Sequence, residues 1–256
     1  MVNIDTVYQK VLAFANKEQR GYITPQEFNL FADQAQMEIF EQYFYDKNQF
    51  ARVPGNSYAY SDMVTNLDEK IQLFERFDRQ CDVTYSASAG PERGYSWGDI
   101  NLSGQLPNLY RLGSVRIYYQ TESTYRIAEE IQTNEVAKYG TAPLGKWTKS
   151  RPVYNRHSWS DNKNLKIYPY PSYDPAIDVV KISYVQKPKK PIWGYMVVND
   201  KPLYNANTSN HFELHPAEES ELVYRILAFA GIAIEKPQLT QMAVGLEQTK
   251  VQQEKQ

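Results

Sequence analysis

A chain of 256 residues is long enough for one large domain or two small ones with a sizeable core. Its net charge of −2 gives no reason to expect nucleic acid to bind across the whole surface, and its single cysteine, Cys81, excludes an intrachain disulfide. Its apolar runs fall short of the ~20 residues that span a bilayer, and its first residues predict an amphipathic helix rather than a signal peptide. We therefore expect a soluble protein made in a reducing compartment, without membrane contacts.

Helical periodicity marks both ends of the chain. Apolar residues recur at helical spacing over residues 4–19 and 61–77, and a loop with proline and glycine is predicted at 52–60. Near the C-terminus, Pro216 suits the first position of a further helix, and a last helix is predicted from about Gln238.

The second helix, predicted over residues 25–46, has two apolar stripes. Thr24 and Glu27 have the spacing of a capping box at its start. On a helical wheel the apolar side chains separate into two opposed sets: Phe28, Phe31, Ala32, Ala35 and Ile39 in one, and Leu30, Met37, Phe40 and Phe44 in the other. A surface helix ordinarily has a single apolar stripe. We therefore expect this helix to be buried on two sides, at the centre of a bundle or in a contact between subunits.

The middle of the chain predicts β structure. After about residue 81, glycine, proline and serine become frequent, and short β-branched and aromatic runs replace helical periodicity. Strands are predicted at residues 112–119, 152–156, 165–168 and 179–186, with a short helix at 133–139. The fold class is therefore α+β: residues 1–80 and 214–256 form a discontinuous helical bundle, into which a β-rich module, residues 81–213, is inserted.

The turn between the first two helices resembles a calcium-binding loop. Residues 16–27 place a glycine and a final glutamate at the positions that an EF-hand loop requires. However, Asn16 occupies the first ligand position, and Arg20 would direct a guanidinium towards the cation. A tight helical hairpin explains the same glycine and capping residues, so we expect no calcium site.

Other patterns for metal binding or catalysis are equally weak. His211, Glu213 and His215 lack the helical i, i+4 spacing of a zinc motif, because Pro216 follows immediately. The sequence contains no nucleophile elbow, phosphate-binding loop or dinucleotide-binding glycine pattern. We therefore expect a non-enzymatic protein without a metal or cofactor.

A basic segment and an aromatic segment are candidates for ligand contacts. The KPKKP run contributes Lys187, Lys189 and Lys190, which would contact phosphates if the protein lined a DNA conduit; a solvated loop is the alternative. The aromatic residues Tyr168, Tyr170, Tyr173 and Trp159 would suit sugar stacking, whereas rigid proline-spaced turns explain them as well. The 21 tyrosines are compatible with interfaces formed after folding and also with β-rich structure.

Two blocks of sequence resemble a known group of proteins. GYITPQEFNLFADQAQMEIFEQYFYD, at residues 21–46, and LHPAEESELVYRILAFAGIAIEKPQL, at residues 214–239, resemble the terminal regions of structural proteins from tailed bacteriophages, including marine and crAss-like short-tailed phages. A helical bundle interrupted by a β module is similar to the head-to-tail adaptor of short-tailed phages, also called a ring or tail tubular protein.

The resemblance implies a virion protein of the neck or tail, assembled in the host cytoplasm. Adaptors of this kind form a ring, commonly of twelve copies, beneath the portal. They contact the portal and the next neck or tail protein, and DNA passes through their channel. A helix that is apolar on two sides suits such a ring, because neighbouring copies meet head to tail.

Candidate contact residues follow from the apolar helix faces. Bundle packing and the contact between copies are assigned to Phe28, Phe31, Met37, Phe40 and Phe44; docking on the portal is assigned to Leu239, Met242 and Leu246. The interior of a single chain is the alternative for both sets. The main alternative function is a tail component that binds host-surface carbohydrate through the aromatic β module.

Overall fold

The protein folds into two compact units that the chain visits in the order first, second, first. A computed structural model describes residues 1–16, 23–52, 58–86, 97–159, 162–171, 178–233, 241, 243–246 and 248–249. The first unit comprises Met1–Leu73 with Pro188–Gln256, and the second comprises Phe74–Lys187. The predicted α+β class is confirmed. The boundaries expected at residues 81 and 213 lie instead at 74 and 187, because the returning chain after Lys187 packs with the helices.

Helices dominate the first unit. The helices of the described chain are α1 (Ile4–Asn16), α2 (Pro25–Arg52), α3 (Tyr58–Gln72), α4 (Leu102–Gln105), α5 (Val136–Thr141) and α6 (Glu219–Ala233), with short 3₁₀ turns at Ala206–Thr208 and Pro216–Glu218. Helix α2 packs against α3 and α6, and α1 packs against α6. The third helix was predicted to continue to Phe77, but it ends at Gln72 because the chain enters a strand soon afterwards.

Helix α2 begins with the predicted capping box. The Thr24 hydroxyl accepts a hydrogen bond from the Glu27 backbone N–H at 3.3 Å, and the Thr24 backbone N–H donates to the Glu27 carboxylate at 2.9 Å. A second bond, from the Thr24 hydroxyl to the same carboxylate, measures 2.7 Å. Two donors that the start of a helix leaves unpaired are thus satisfied by one reciprocal pair of side chains.

Replacing Thr24 by alanine should lower the free energy of unfolding by about 1 kcal/mol, because it removes this cap. The hydrogen bonds from Thr24 hold the pKa of Glu27 below its ordinary value. The ionised Glu27 carboxylate therefore contributes to folding stability at neutral pH, and this contribution is lost as the pH falls through the lowered pKa. Urea titrations at neutral and acidic pH measure both effects. Thr24→Ser, which keeps the hydroxyl, should behave like the wild type; an equal loss in both variants would contradict the assignment.

Strands dominate the second unit, and a separate hairpin belongs to the first. The strands of the described chain are β1 (Glu75–Cys81), β2 (Thr84–Ser86), β3 (Trp97–Asn101), β4 (Leu109–Tyr119), β5 (Thr124–Ile127), β6 (Glu129–Glu130), β7 (Val153–Trp159), β8 (Asn162–Tyr168), β9 (Val179–Gln186), β10 (Tyr195–Val198) and β11 (Lys201–Tyr204). The four predicted strands correspond to β4, β7, β8 and β9. The hairpin of β10 and β11 was not predicted.

The second unit is a sandwich of two sheets. One sheet has the strand order β1-β9-β4-β5, and the other has the order β2-β3-β8-β7-β6. Alternate residues of both sheets point inward and form one apolar core, which includes Val115, Ile182 and Ile167. The side of the five-stranded sheet that faces away from this core carries a second, aromatic cluster that contains Trp97, Trp147 and Tyr168. The broad location of the β-rich region was therefore predictable, whereas its sheet topology was not.

Candidate functional site: an anchored apolar hairpin

The hairpin of β10 and β11 forms because two short apolar runs flank a suitable turn. The strands pair antiparallel with Val198 opposite Lys201, so Asn199 and Asp200 form a two-residue connection. Both connecting residues have positive φ angles, 50° and 60°, which a type I′ turn requires and which Asn and Asp tolerate. The sequence YMVV-ND-KPLY thus contains the signal for this hairpin, namely two strand-forming segments separated by exactly such a pair.

One face of the hairpin is apolar and exposed. Met196 and Leu203 lie opposite each other across the two strands, and their side chains are 55% and 52% exposed. Val198 follows two residues after Met196 on the same face, opposite Lys201, and is also exposed. We call these four side chains the outer face. This exposed cluster of apolar side chains is a candidate docking surface.

Hydrogen bonds hold the base of the hairpin against the helices through Trp193, which is buried. Its backbone N–H donates to the Asn29 side-chain oxygen at 2.7 Å, and its carbonyl accepts from the Asn29 amide at 3.3 Å. The indole N–H donates to Asp5 at 2.9 Å. Trp193 is therefore fixed to α2 by a reciprocal pair of bonds and to α1 by a third.

Aromatic contacts connect this fixed tryptophan to the two strands. Ring centroids of Tyr195 and Tyr204 lie 5.9 and 5.8 Å from that of Trp193, and the ring of Tyr8 lies 4.4 Å away on the helical side. Tyr195 and Tyr204 are themselves directly opposite each other in the hairpin. The inner face at the base of the hairpin is thus packed, and its position relative to α1 and α2 is set before any binding partner arrives.

Gly194 allows the chain to pass close to the 3₁₀ turn that follows the hairpin. Its N–H donates to the Ser209 hydroxyl at 2.9 Å, and its carbonyl accepts from the Asn205 N–H at 2.8 Å. A Cβ atom at this position would lie 2.7 Å from the carbonyl carbon of Thr208, which real side chains do not tolerate. Both ends of the hairpin are therefore tied together at its base.

The segment that leads into the hairpin, residues 189–193, lies along α2. The Gln36 amide donates to the Lys189 carbonyl at 2.8 Å, the Lys190 ammonium lies 3.7 Å from the Asp33 carboxylate, and Asn29 binds Trp193. Positions 29, 33 and 36 share one side of a helix. One side of α2 is thus occupied by its own chain.

The DNA-facing role predicted for the basic segment stays a prediction, although two of its three lysines have carboxylate neighbours in the chain. Lys189 lies 3.9 Å from the Glu213 carboxylate and donates its backbone N–H to it, and Lys190 is close to Asp33. Only Lys187, an exposed residue that belongs to the β unit, has no such acidic neighbour among the described ion pairs. Lys189 and Lys190 each have a carboxylate neighbour within the chain, while their side chains remain 63% and 56% exposed.

The predicted packing residues of α2 divide between core and surface. Phe28 and Phe40 are fully buried within the single chain; the ring of Phe28 lies 4.7 Å from that of Tyr8, and that of Phe40 lies 5.1 Å from that of Phe44. The role in contacts between copies is therefore corrected for Phe28 and Phe40, which belong to the intramolecular core. The returning chain contacts α2 at polar residues that lie between the two stripes, namely Asn29, Asp33 and Gln36.

Ala32, Ala35 and Ile39 are also buried, whereas the other large side chains of the two stripes are less so. Phe31 is half-buried and lies 6.4 Å, ring to ring, from Phe229 of α6. Met37 and Phe44 are half-buried, whereas Leu30 is 63% exposed. The exposed apolar surface of these residues on α2 thus lies on the side that carries Leu30 and Met37.

The predicted portal-docking helix is described only in part. Leu239 and Met242 lie outside the described residues. Residues 243–246 have helical backbone, with Ala243 buried and Leu246 45% exposed. The exposure of Leu246 is compatible with a docking role, which stays a prediction.

Of the aromatic segment proposed for sugar stacking, only Tyr168 and Tyr170 have described side chains. Tyr168 is fully buried, and its ring lies 4.7 Å from that of Trp147. Tyr170 is half-buried against the inner core, and both Tyr173 and the side chain of Trp159 lie outside the described residues. Tyr168 is therefore too buried to stack on a sugar, and the carbohydrate-binding alternative would have to use other residues.

A polar layer lies beside the aromatic cluster on the side of the five-stranded sheet that faces away from the inner core. Asp99 lies 3.9 Å from the His157 imidazole, and burial raises the pKa of Asp99 above its ordinary range, against the opposing effects of His157 and Lys166. The Lys166 ammonium also lies 4.6 Å from the centre of the Trp97 ring. His157 and Lys166 thus contact the polar and aromatic residues on the same side of the sheet as Trp97.

The candidate metal ligands are occupied by backbone hydrogen bonds. His211 accepts from the Ile4 N–H, and His215 accepts from the Ala217 N–H, so it caps the turn before α6. Among the described residues, no group of three or more His, Cys, Asp or Glu side chains is placed to hold a metal. Burial raises the pKa of the Cys81 thiol to about 11, which keeps it protonated and unreactive at neutral pH.

Comparison with known proteins adds no relative. No protein-family model matches the sequence, and a search of curated proteins finds no match. Within the described part of the chain, no helix is long and apolar enough to cross a membrane. The anchored hairpin is consequently the feature from which a function can be argued.

Proposed function

We propose that the chain is a structural protein of a tailed-phage virion, a head-to-tail adaptor that forms a ring beneath the portal and a conduit for the genome. The observation that carries the proposal is the exposed apolar outer face on a hairpin that Trp193 fixes to α1 and α2. A helical unit formed by both chain ends, with the β unit inserted between them, agrees with the layout of the phage proteins that the sequence blocks resemble.

An assembly role uses the hairpin as its geometry allows. Burial of apolar surface drives association, and it is most effective when the surface is ordered beforehand, because less conformational entropy is then lost on binding. The hydrogen bonds and ring contacts of Trp193 provide that order. The hairpin is therefore suited to docking on another protein, a role that requires no chemical step.

The conduit in this proposal arises from ring closure and not from a basic surface. Lys189 and Lys190 are balanced by carboxylates, and the whole chain carries a net charge of −2. DNA that must slide through a channel gains nothing from strong phosphate contacts, whose strength rises with the number of unpaired cations. Contacts with the portal and with the next tail protein belong to the same proposal.

Disruption of the gene in the phage that encodes this chain tests the proposed function. An adaptor mutant should produce filled heads that lack tails and lose their DNA, and supplying the intact gene in trans should restore tailed, infectious particles. Normal tailed particles without this protein would overturn the proposal. Tailed particles that fail only to adsorb to host cells would instead indicate the carbohydrate-binding alternative.

A further inference from the structure

We propose that the outer face of the β10–β11 hairpin docks on a second copy of this chain, against the exposed side of its α2. The inference rests on the proposed function because it specifies how copies of the adaptor meet. The donor surface is Met196, Val198, Lys201 and Leu203. The receiving surface is Leu30, Gln34, Met37 and Glu41.

The receiving residues form one continuous strip on α2. Leu30, Gln34, Met37 and Glu41 follow one another at intervals of four, three and four residues, so they share one side of the helix. Leu30, Gln34 and Glu41 are exposed, and Met37 is half-buried. The strip is ~16 Å long at 1.5 Å per residue, and the four-residue strands of the hairpin are ~13 Å long. The two surfaces therefore match in length.

The order of apolar and charged groups is complementary between the two surfaces. On the hairpin, the apolar pair of Met196 and Leu203 is followed by Lys201, which is exposed near the turn. On α2, the apolar side chains are followed by Glu41. Docking that buries the apolar groups against each other brings the Lys201 ammonium towards the Glu41 carboxylate of the second copy. Opposite charges at the edge of an apolar contact fix its register.

The size of the outer face limits how strongly a single contact can hold. Its half-exposed aliphatic side chains offer on the order of 200 Å² of apolar surface, whereas a standard stable interface buries about 800 Å² per partner. A single contact of this kind is therefore weak and reversible. In a closed ring every copy both donates a hairpin and receives one, so each copy is held by two such contacts.

Self-association of the full-length chain tests this docking. Sedimentation velocity over a range of protein concentrations should show reversible association of the wild type, and Leu203→Asp should weaken it at least about tenfold. Leu144→Asp is the matched control because Leu144 is 99% exposed in the β unit. Circular dichroism checks that both variants keep the wild-type fold. A wild type that stays monomeric, or a Leu203→Asp variant that associates like the control, would overturn the inference.

Charge reversal identifies the receiving surface. Lys201→Glu and Glu41→Lys should each weaken association, because each brings two like charges together. The double variant Lys201→Glu/Glu41→Lys should regain most of the lost affinity. A double variant no tighter than either single variant would contradict docking on α2. If these tests fail while the gene disruption still yields tailless heads, the hairpin inference is wrong and the proposed function stands. Normal tailed particles after the gene disruption would instead overturn the proposed function.

Discussion

Trp193→Ala is expected to lower the free energy of unfolding by about 3–5 kcal/mol, the cost of truncating a buried tryptophan. The indole is only 3% exposed, bonds to Asp5 and packs between Tyr8 and the two hairpin tyrosines. Its removal leaves a cavity at the base of the hairpin, so self-association should weaken as well. Urea unfolding followed by circular dichroism gives the free energy, and sedimentation gives the association.

Trp193→Phe separates the two contributions of the indole. Phenylalanine keeps an aromatic ring between Tyr8 and Tyr195 but cannot donate to Asp5, so we expect a loss intermediate between the wild type and Trp193→Ala. A loss of less than about 1 kcal/mol in the alanine variant would be that of an ordinary surface substitution. Such a result would show that Trp193 does not anchor the hairpin.

Arg225→Met is expected to cost about 3–5 kcal/mol, as measured when one member of a buried ion pair is removed. Arg225 lies on α6 and is 8% exposed; its guanidinium is 2.7 Å from the Glu221 carboxylate and 3.4 Å from that of Glu38 on α2, and it also bonds to Gln42. The substitution leaves Glu221, 4% exposed, without this cation. Chemical denaturation at neutral pH measures the loss.

A double substitution tests whether the buried charge causes that loss. In Arg225→Met/Glu221→Leu both charges are replaced by apolar groups, and apolar replacements of buried ion pairs are often neutral or stabilising. More than half of the lost stability should therefore return. If the double variant is as unstable as Arg225→Met, the contacts of Arg225 with Glu38 and Gln42 account for the effect instead.

Local signals in the sequence predicted those features whose causes are local. The capping box of Thr24 and Glu27 involves residues three apart, and the structure contains the predicted hydrogen bonds. Strand β9 has the predicted bounds because its residues alternate between the core and the side of the sheet that faces away from it. The type I′ turn at Asn199 and Asp200 is equally local, and the hairpin was missed because prolines and glycines nearby suggested an irregular loop.

Features that depend on distant residues were not predictable. The two stripes of α2 indicated burial on two sides, but not that the 189–193 segment, more than 150 residues away, binds the polar side of α2 that carries Asn29 and Gln36. Helical spacing of apolar residues continued past Gln72, whereas pairing of Glu75 with Val185 makes the next segment a strand. In both cases a contact with a distant residue determines the local structure, and the periodicity of a short stretch of sequence does not encode that contact.

The proposal that this chain builds a ring through its hairpin is tested most directly by cryo-electron microscopy of the neck in particles of the phage that, according to the proposed function, encodes it. We predict a closed ring of this chain next to the portal, in which Leu203 of each copy contacts Leu30 and Met37 of its neighbour and Lys201 lies close to the neighbouring Glu41. A neck without this chain, or a ring in which Met196 and Leu203 face solvent, would contradict the account.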